Sequence, residues 1–187
     1  MNILHALYLF IFSLLLAFFE VQIEGKDGWA ARLPTWRPQR GWYARFYKKM
    51  MGGKELTGYH IGVFGLVFLF LHYPFFAGGI LWSVEEELWV ISTFLLVSVV
   101  WDYLWIIINP HYGVIRRRPR HDVSWHRVWW GPFPRDYYFG VLFSALVLYP
   151  LWSVQVCREW GILLGVLAAG TLVTLLVTES VRGDVQR

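Results

Sequence analysis

Five long apolar runs, residues 3–21, 59–76, 81–108, 138–154 and 160–178, take up most of this chain of 187 residues. A helix needs ~20 apolar residues to cross the hydrocarbon core of a bilayer, and these runs are close to that length or beyond it. Within lipid every backbone amide must be paired inside its own segment, which makes helices the expected form. The short apolar/polar alternation of barrel strands is absent from the runs. The expectation is therefore an all-α, polytopic transmembrane helix bundle of about five spans, forming a single integral membrane domain over residues 1–187. Charged residues make up only 16% of the chain, against about a quarter in a soluble domain, so much of this surface has no need of water. Twelve Trp and ten Tyr residues suit the headgroup zone, where a ring can be apolar on one side and hydrogen-bonded on the other.

The first run is where a secretory signal would stand. No Lys or Arg precedes it, and Phe18, Phe19 and Glu20 lack the small residues of a cleavage site, so it is read as a retained membrane helix. The single cysteine, Cys157, read as part of an outer turn, excludes an internal disulfide framework.

The connecting segments set an orientation. The first carries Lys26, Arg32, Arg37, Arg40, Arg45, Lys48, Lys49 and Lys54; the third carries Arg116, Arg117, Arg118, Arg120, Arg127 and Arg135. The second holds Glu85, Glu86 and Glu87 without a cation. Positive loops stay in the cytoplasm, which places the N-terminus outside and the C-terminus inside, in a bacterial-type plasma membrane. The net charge of +4 then points to anionic lipid headgroups, and not to nucleic acid, as its partner. In the first loop Trp42, Tyr43, Phe46, Tyr47 and Met50 recur at helical spacing, with Arg45, Lys48 and Lys49 on another side. This pattern predicts a short amphipathic helix in the headgroup plane, with Gly52 and Gly53 ending it.

Ionisable groups in or beside apolar spans are costly unless paired or hydrated, so they mark candidate sites. Glu20 and Glu24, four residues apart, share one face at the cytoplasmic end of the first span. His60 opens the second span at the same depth. Asp102 lies in the last turns of the third, with Asn109 on the same face, and the following loop adds His111, His121, Asp122 and His126. Carboxylates with imidazoles suit iron, manganese or zinc, and the composition is that of di-iron bundles without their Glu-x-x-His signature. Glu20, Glu24, His60, Asp102 and His126 are thus the expected ligands of one or two metal ions. The competing expectation is ion pairing of these acids with loop Arg and Lys. On the outer side, His72 is expected to meet Glu86 or Glu87 in a solvated acidic turn; a haem held by His5 and His72 is the less favoured reading there.

The function expected from these residues is that of a small membrane metalloenzyme acting on a lipid or isoprenoid-like substrate at the cytoplasmic interface, as an oxidoreductase or a hydrolase. A second expectation is a non-catalytic subunit of a larger membrane complex or a homo-oligomer, with the Gly161/Gly165 step as a packing face. A transporter or proton channel ranks third, because the middle of the first, fourth and fifth spans is nearly free of polar groups.

Overall fold

The first helix shows how the chain sorts itself. α1 (Ile3–Glu24) is capped by Asn2, whose side chain accepts from the His5 amide. Its buried stripe is Ala6, Leu9, Ser13, Ala17, Glu20 and Glu24, while Leu4, Leu7, Ile11, Leu15, Phe18 and Phe19 point outward. Large apolar residues outside and small or polar residues inside are what a helix in lipid requires, because small side chains permit close helix contact.

The computed structural model describes residues 2–112, 126 and 128–185. After α1 come α2 (Trp42–Met50), α3 (Gly58–Leu71), the single turn α4 (Tyr73–Phe76), α5 (Val84–Ile108), a two-residue hairpin of β1 (Trp129–Trp130) and β2 (Phe133–Pro134), α6 (Arg135–Val147), a 3-10 turn (Tyr149–Leu151) and α7 (Val154–Val185). The protein is mostly helical. Among the described residues three helices, α1, α5 and α7, are long and apolar enough to cross a membrane. The second and fourth apolar runs form shorter helices. α3 has 14 residues and α6 has 13, or about 21 and 20 Å of rise at 1.5 Å per residue. Both are interrupted before the proline that follows. Pro74 stands in the first turn of α4 and Pro150 in the 3-10 turn, where the missing N–H costs no helical bond. α7 starts earlier than the fifth run, so Cys157 lies in its first turn and not in a loop.

α5 is the central element: it packs against α1, α6, α7 and, near its middle, α3. Ser83 caps it by accepting from the Glu86 amide, and Glu85, Glu86 and Glu87 complement its positive end. Its last turns, from Trp101 to Ile107, are buried almost all round. Gly140 brings α6 close, since a Cβ there would lie 2.5 Å from Val99 Cγ2; Gly170 likewise gives Phe10 of α1 its place on α7.

The far end of α5 is tied by polar contacts. Asn109, fully buried, donates through Nδ2 to the Gly25 carbonyl at the end of α1 (2.9 Å), and Tyr112 donates to the Lys26 carbonyl (2.6 Å). Arg182 of α7 donates to the carbonyls of Ile107 (3.0 Å) and Asn109 (2.6 Å). Those carbonyls are among the ones a helix end leaves without intrahelical partners. Three helices are thereby held at one level.

Candidate metal centre

The same level carries the candidate site. The inward stripe of α1 ends as Glu20 and Glu24, each 8% exposed. Opposite them, Thr57 caps α3 by accepting from the His60 amide (3.1 Å), and the same Oγ1 lies 2.7 Å from His60 Nδ1. The cap thus fixes the imidazole, and Nε2 faces Glu24 Oε1 at 3.7 Å. One ligand-type atom from each of Glu20, Glu24 and His60 lies within 4.8 Å of the others.

Aromatic rings shield this cluster. The His60 ring is faced by Trp29 at 4.6 Å, Tyr59 at 5.2 Å and Phe64 at 6.4 Å between centroids. The Trp101 indole and the Tyr59 hydroxyl approach the Glu20 carboxylate. A strap between α1 and α2 packs against the cluster: the Ala30 amide donates to Glu24 Oε1, Arg37 donates to the Ala30 carbonyl, and Trp29 Nε1 donates to the Glu55 carbonyl at 2.9 Å. Trp29 and Ala30 both have φ near +51°, a left-handed conformation that non-glycine residues hold only when their surroundings impose it. Lys54, in the loop before α3, is held below its ordinary pKa by burial, against the opposing pull of Glu24.

A cavity of about 110 Å³ opens beside the cluster, and all five sequence-predicted residues line it: Glu20, Glu24, His60, Asp102 and His126. They fall into two groups. The first is the Glu–Glu–His cluster. In the second, Asp102 Oδ2 accepts from His126 Nε2 (2.6 Å) and from the Tyr137 hydroxyl (2.5 Å), while His126 Nδ1 lies 3.8 Å from Asp136 Oδ2. The backbone carbonyl of His126 in turn accepts from Trp129 Nε1 at 3.1 Å. Ser98 Oγ, also on the cavity wall, is buried and has no hydrogen-bond partner among the described residues.

Other sequence candidates lie elsewhere. His111 is exposed, and its amide donates to Asn109 Oδ1. Asn109 serves helix ends and not the cavity. His121 and Asp122 lie outside the described residues. At the other end of α3 His72 Nε2 lies 3.1 Å from Glu87 Oε2, which also accepts from Trp82, so the expected His–Glu contact falls on Glu87. Sequence reasoning missed Tyr137 and Thr57. Thr57 carried a signal, a Thr three residues before His60 at a helix start; Tyr137 carried none, because its partner Asp102 is distant in the chain. No family model, no curated protein and no solved structure matches this chain.

Proposed function

We propose that this protein is a small integral membrane metalloenzyme in which Glu20, Glu24 and His60 hold a divalent metal ion, and that it acts on a lipid or isoprenoid-like substrate at the cytoplasmic interface. The observation that carries this reading is the convergence of three buried ligand-type groups from two helices within 4.8 Å. Two carboxylates shielded from water require a proton or a cation as compensation, and a divalent ion meets that need at both at once. With Nδ1–H donating to Thr57 Oγ1, His60 Nε2 keeps its lone pair for the metal; such outer contacts set the tautomer of ligating histidines. Carboxylate and imidazole donors suit iron, manganese or zinc. Three protein ligands with an open position are the pattern of catalytic sites.

A metal held there supplies Lewis acidity and an activated water or dioxygen chemistry, depending on its identity. Asp102 and His126 serve as the proton-handling pair across the cavity. The His126 ring has a carboxylate toward each nitrogen, Asp102 at Nε2 and Asp136 near Nδ1, an arrangement of groups suited to relaying a proton. The Ala30 amide orients Glu24, and the aromatic wall limits access of bulk water. In the membrane, α3 with α4 and α6 with its 3-10 turn complete five spans with the basic loops cytoplasmic, as the charge pattern demands. α2, whose Trp42, Phe46 and Met50 are exposed beside Lys48 and Lys49, then lies among the headgroups.

Metal analysis of the purified protein tests the reading. About one metal per chain is expected on the three-ligand count, with loss of the metal in Glu20→Ala and His60→Ala. Absence of stoichiometric metal in the wild type after reconstitution with iron, manganese and zinc overturns it.

One observation favours the second reading, a subunit of a larger assembly. Gly161 and Gly165 on α7 have open space where a Cβ would stand, a surface on which another helix could pack closely. Extraction in mild detergent separates the two readings: a stable assembly with unrelated subunits favours the structural subunit, and a monomer or small homo-oligomer the enzyme.

A further inference from the structure

Two apolar grooves of similar size run along the long helices. One, of about 590 Å³, lies between α1 and α7, with Leu14, Ala169 and Val173 on its walls. The other, of about 630 Å³, lies between α5, α6, α7 and the hairpin, with Tyr103, Phe133, Tyr137, Val141, Ala168 and Leu172 among its lining residues. Both volumes fall in the range of small-molecule sites, roughly 300–1,000 Å³. Neither suits water, because ordered water needs several polar partners and these walls are almost wholly apolar. Between helices that cross a bilayer, hydrocarbon is the available filling.

The two grooves differ in what stands behind them. The α1–α7 groove touches no residue of the polar site. The α5–α6–α7 groove has Tyr137 in its wall, and the Tyr137 hydroxyl donates to Asp102 Oδ2; Asp102 lines the cavity beside Glu20, Glu24 and His60. Tyr137 therefore joins the two spaces: it lines the apolar groove and is bonded to a carboxylate that lines the polar cavity. In the same wall Phe133 and Tyr138 meet edge-on at 6.1 Å, and Phe133 lies 5.0 Å from Tyr103. They form an aromatic rim of the kind that sits at the headgroup level.

We infer that the α5–α6–α7 groove is a binding site for one long hydrocarbon chain, acyl or prenyl, whose head end lies at Tyr137 beside Asp102. This rests on the proposed lipid chemistry of the cavity and adds where the substrate chain lies. The α1–α7 groove, equally apolar and without that link to the polar cavity, takes bulk lipid only.

Photo-crosslinking tests this on the whole protein in phosphatidylcholine nanodiscs, with ω-diazirine hexadecanoic acid in one arm and a diazirine farnesol analogue in the other. Labelled peptides are mapped by mass spectrometry with and without excess unlabelled competitor. Labelling of α6 and the facing half of α7 is expected to fall about tenfold with competitor, the signature of a saturable site, while labelling of the Leu14/Val173 face stays constant. The arm that saturates identifies the chain as acyl or prenyl. Ala168→Trp and Val141→Trp, which fill the groove from opposite walls, are expected to abolish the saturable labelling in whichever variant keeps a native elution profile. Labelling of the two grooves that is equal and insensitive to competitor overturns the inference, with no need for either variant. Metal content is measured on the same preparation. Saturable labelling without metal overturns the metalloenzyme alone; metal without saturable labelling overturns the groove alone.

Discussion

His60 Nε2 lies 3.7 Å from Glu24 Oε1, although the two residues belong to different helices with the whole first loop between them. The contact joins the start of α3 to the end of α1, and it is held from both sides: by the Thr57 cap behind the imidazole and by the Ala30 amide on the carboxylate.

The cap is therefore expected to matter to metal affinity. Thr57→Val keeps the shape but removes the oxygen facing Nδ1. Metal affinity should fall by about 10–100-fold, the usual effect of losing an outer contact to a ligating histidine. Titration calorimetry on wild type and variant measures this, with Thr57→Ser expected to restore binding. An unchanged affinity in Thr57→Val would remove His60 from the ligand set.

Metal binding should also stabilise the fold. An ion at a hundred times its Kd adds about 2.7 kcal/mol to a folded state that alone can bind it. Thermal unfolding in detergent should shift upward with the cognate metal and downward with chelator. Glu24→Ala should show neither shift.

Lys54 offers a test that reads charge at the site without reading activity. Burial lowers its pKa and the negative charge of Glu24 opposes that fall. Neutralising Glu24 with a cation removes the opposing influence, so the Lys54 pKa should fall further on metal loading. Competitive acetylation followed across pH should give a midpoint for Lys54 below the ordinary lysine value, and lower again in the metal-loaded protein. A midpoint indifferent to metal would place the ion away from Glu24.

Tyr137→Phe removes one hydrogen bond to the Asp102 carboxylate and leaves the ring in place. A hydrogen bond to a charged group contributes about 1.5–3 kcal/mol, and a destabilisation of that order is expected in denaturant titrations. Stoichiometric metal should be retained, because Tyr137 is bonded to Asp102 and is neither in the Glu–Glu–His cluster nor among the residues that line the cavity. Loss of metal in this variant would show that Asp102 belongs among the ligands.

Arg182→Met keeps the apolar stem and removes the guanidinium that meets the carbonyls of Ile107 and Asn109. A cost of about 1.5–3 kcal/mol is expected, as for other hydrogen bonds to charged groups. Exchange protection should fall first in the last turn of α5.

The long helices were legible because hydropathy depends on composition alone, and α1, α5 and α7 follow it. The breaks after α3 and α6 were legible only in part. Pro74 and Pro150 were visible, but the short helices they leave depend on how the preceding turns pack. The grouping of Glu20, Glu24 and His60 could be read from depth, since the start of one span and the end of another must share a level. The pairing of Asp102 with His126 and Tyr137 could not, because it depends on where a loop returns to the bundle. The left-handed turn at Trp29 and Ala30 was also hidden: neither residue favours that conformation, and contacts distant in the chain, to Glu55, Arg37 and the His60 ring among others, hold it.

The alanines and serine of the α1 stripe have a wider consequence. Ala6, Ser13 and Ala17 are fully buried, so at these three positions α1 meets the bundle with almost no side-chain bulk between them. Glu20 and Glu24 are carried on the same rod, and their reach toward the cavity depends on that spacing. Functional constellations tolerate displacements of only about 0.5 Å. A larger residue at Ala17, one turn from Glu20 and without chemistry of its own, would therefore push both carboxylates away from His60 while leaving every polar side chain in the chain unaltered.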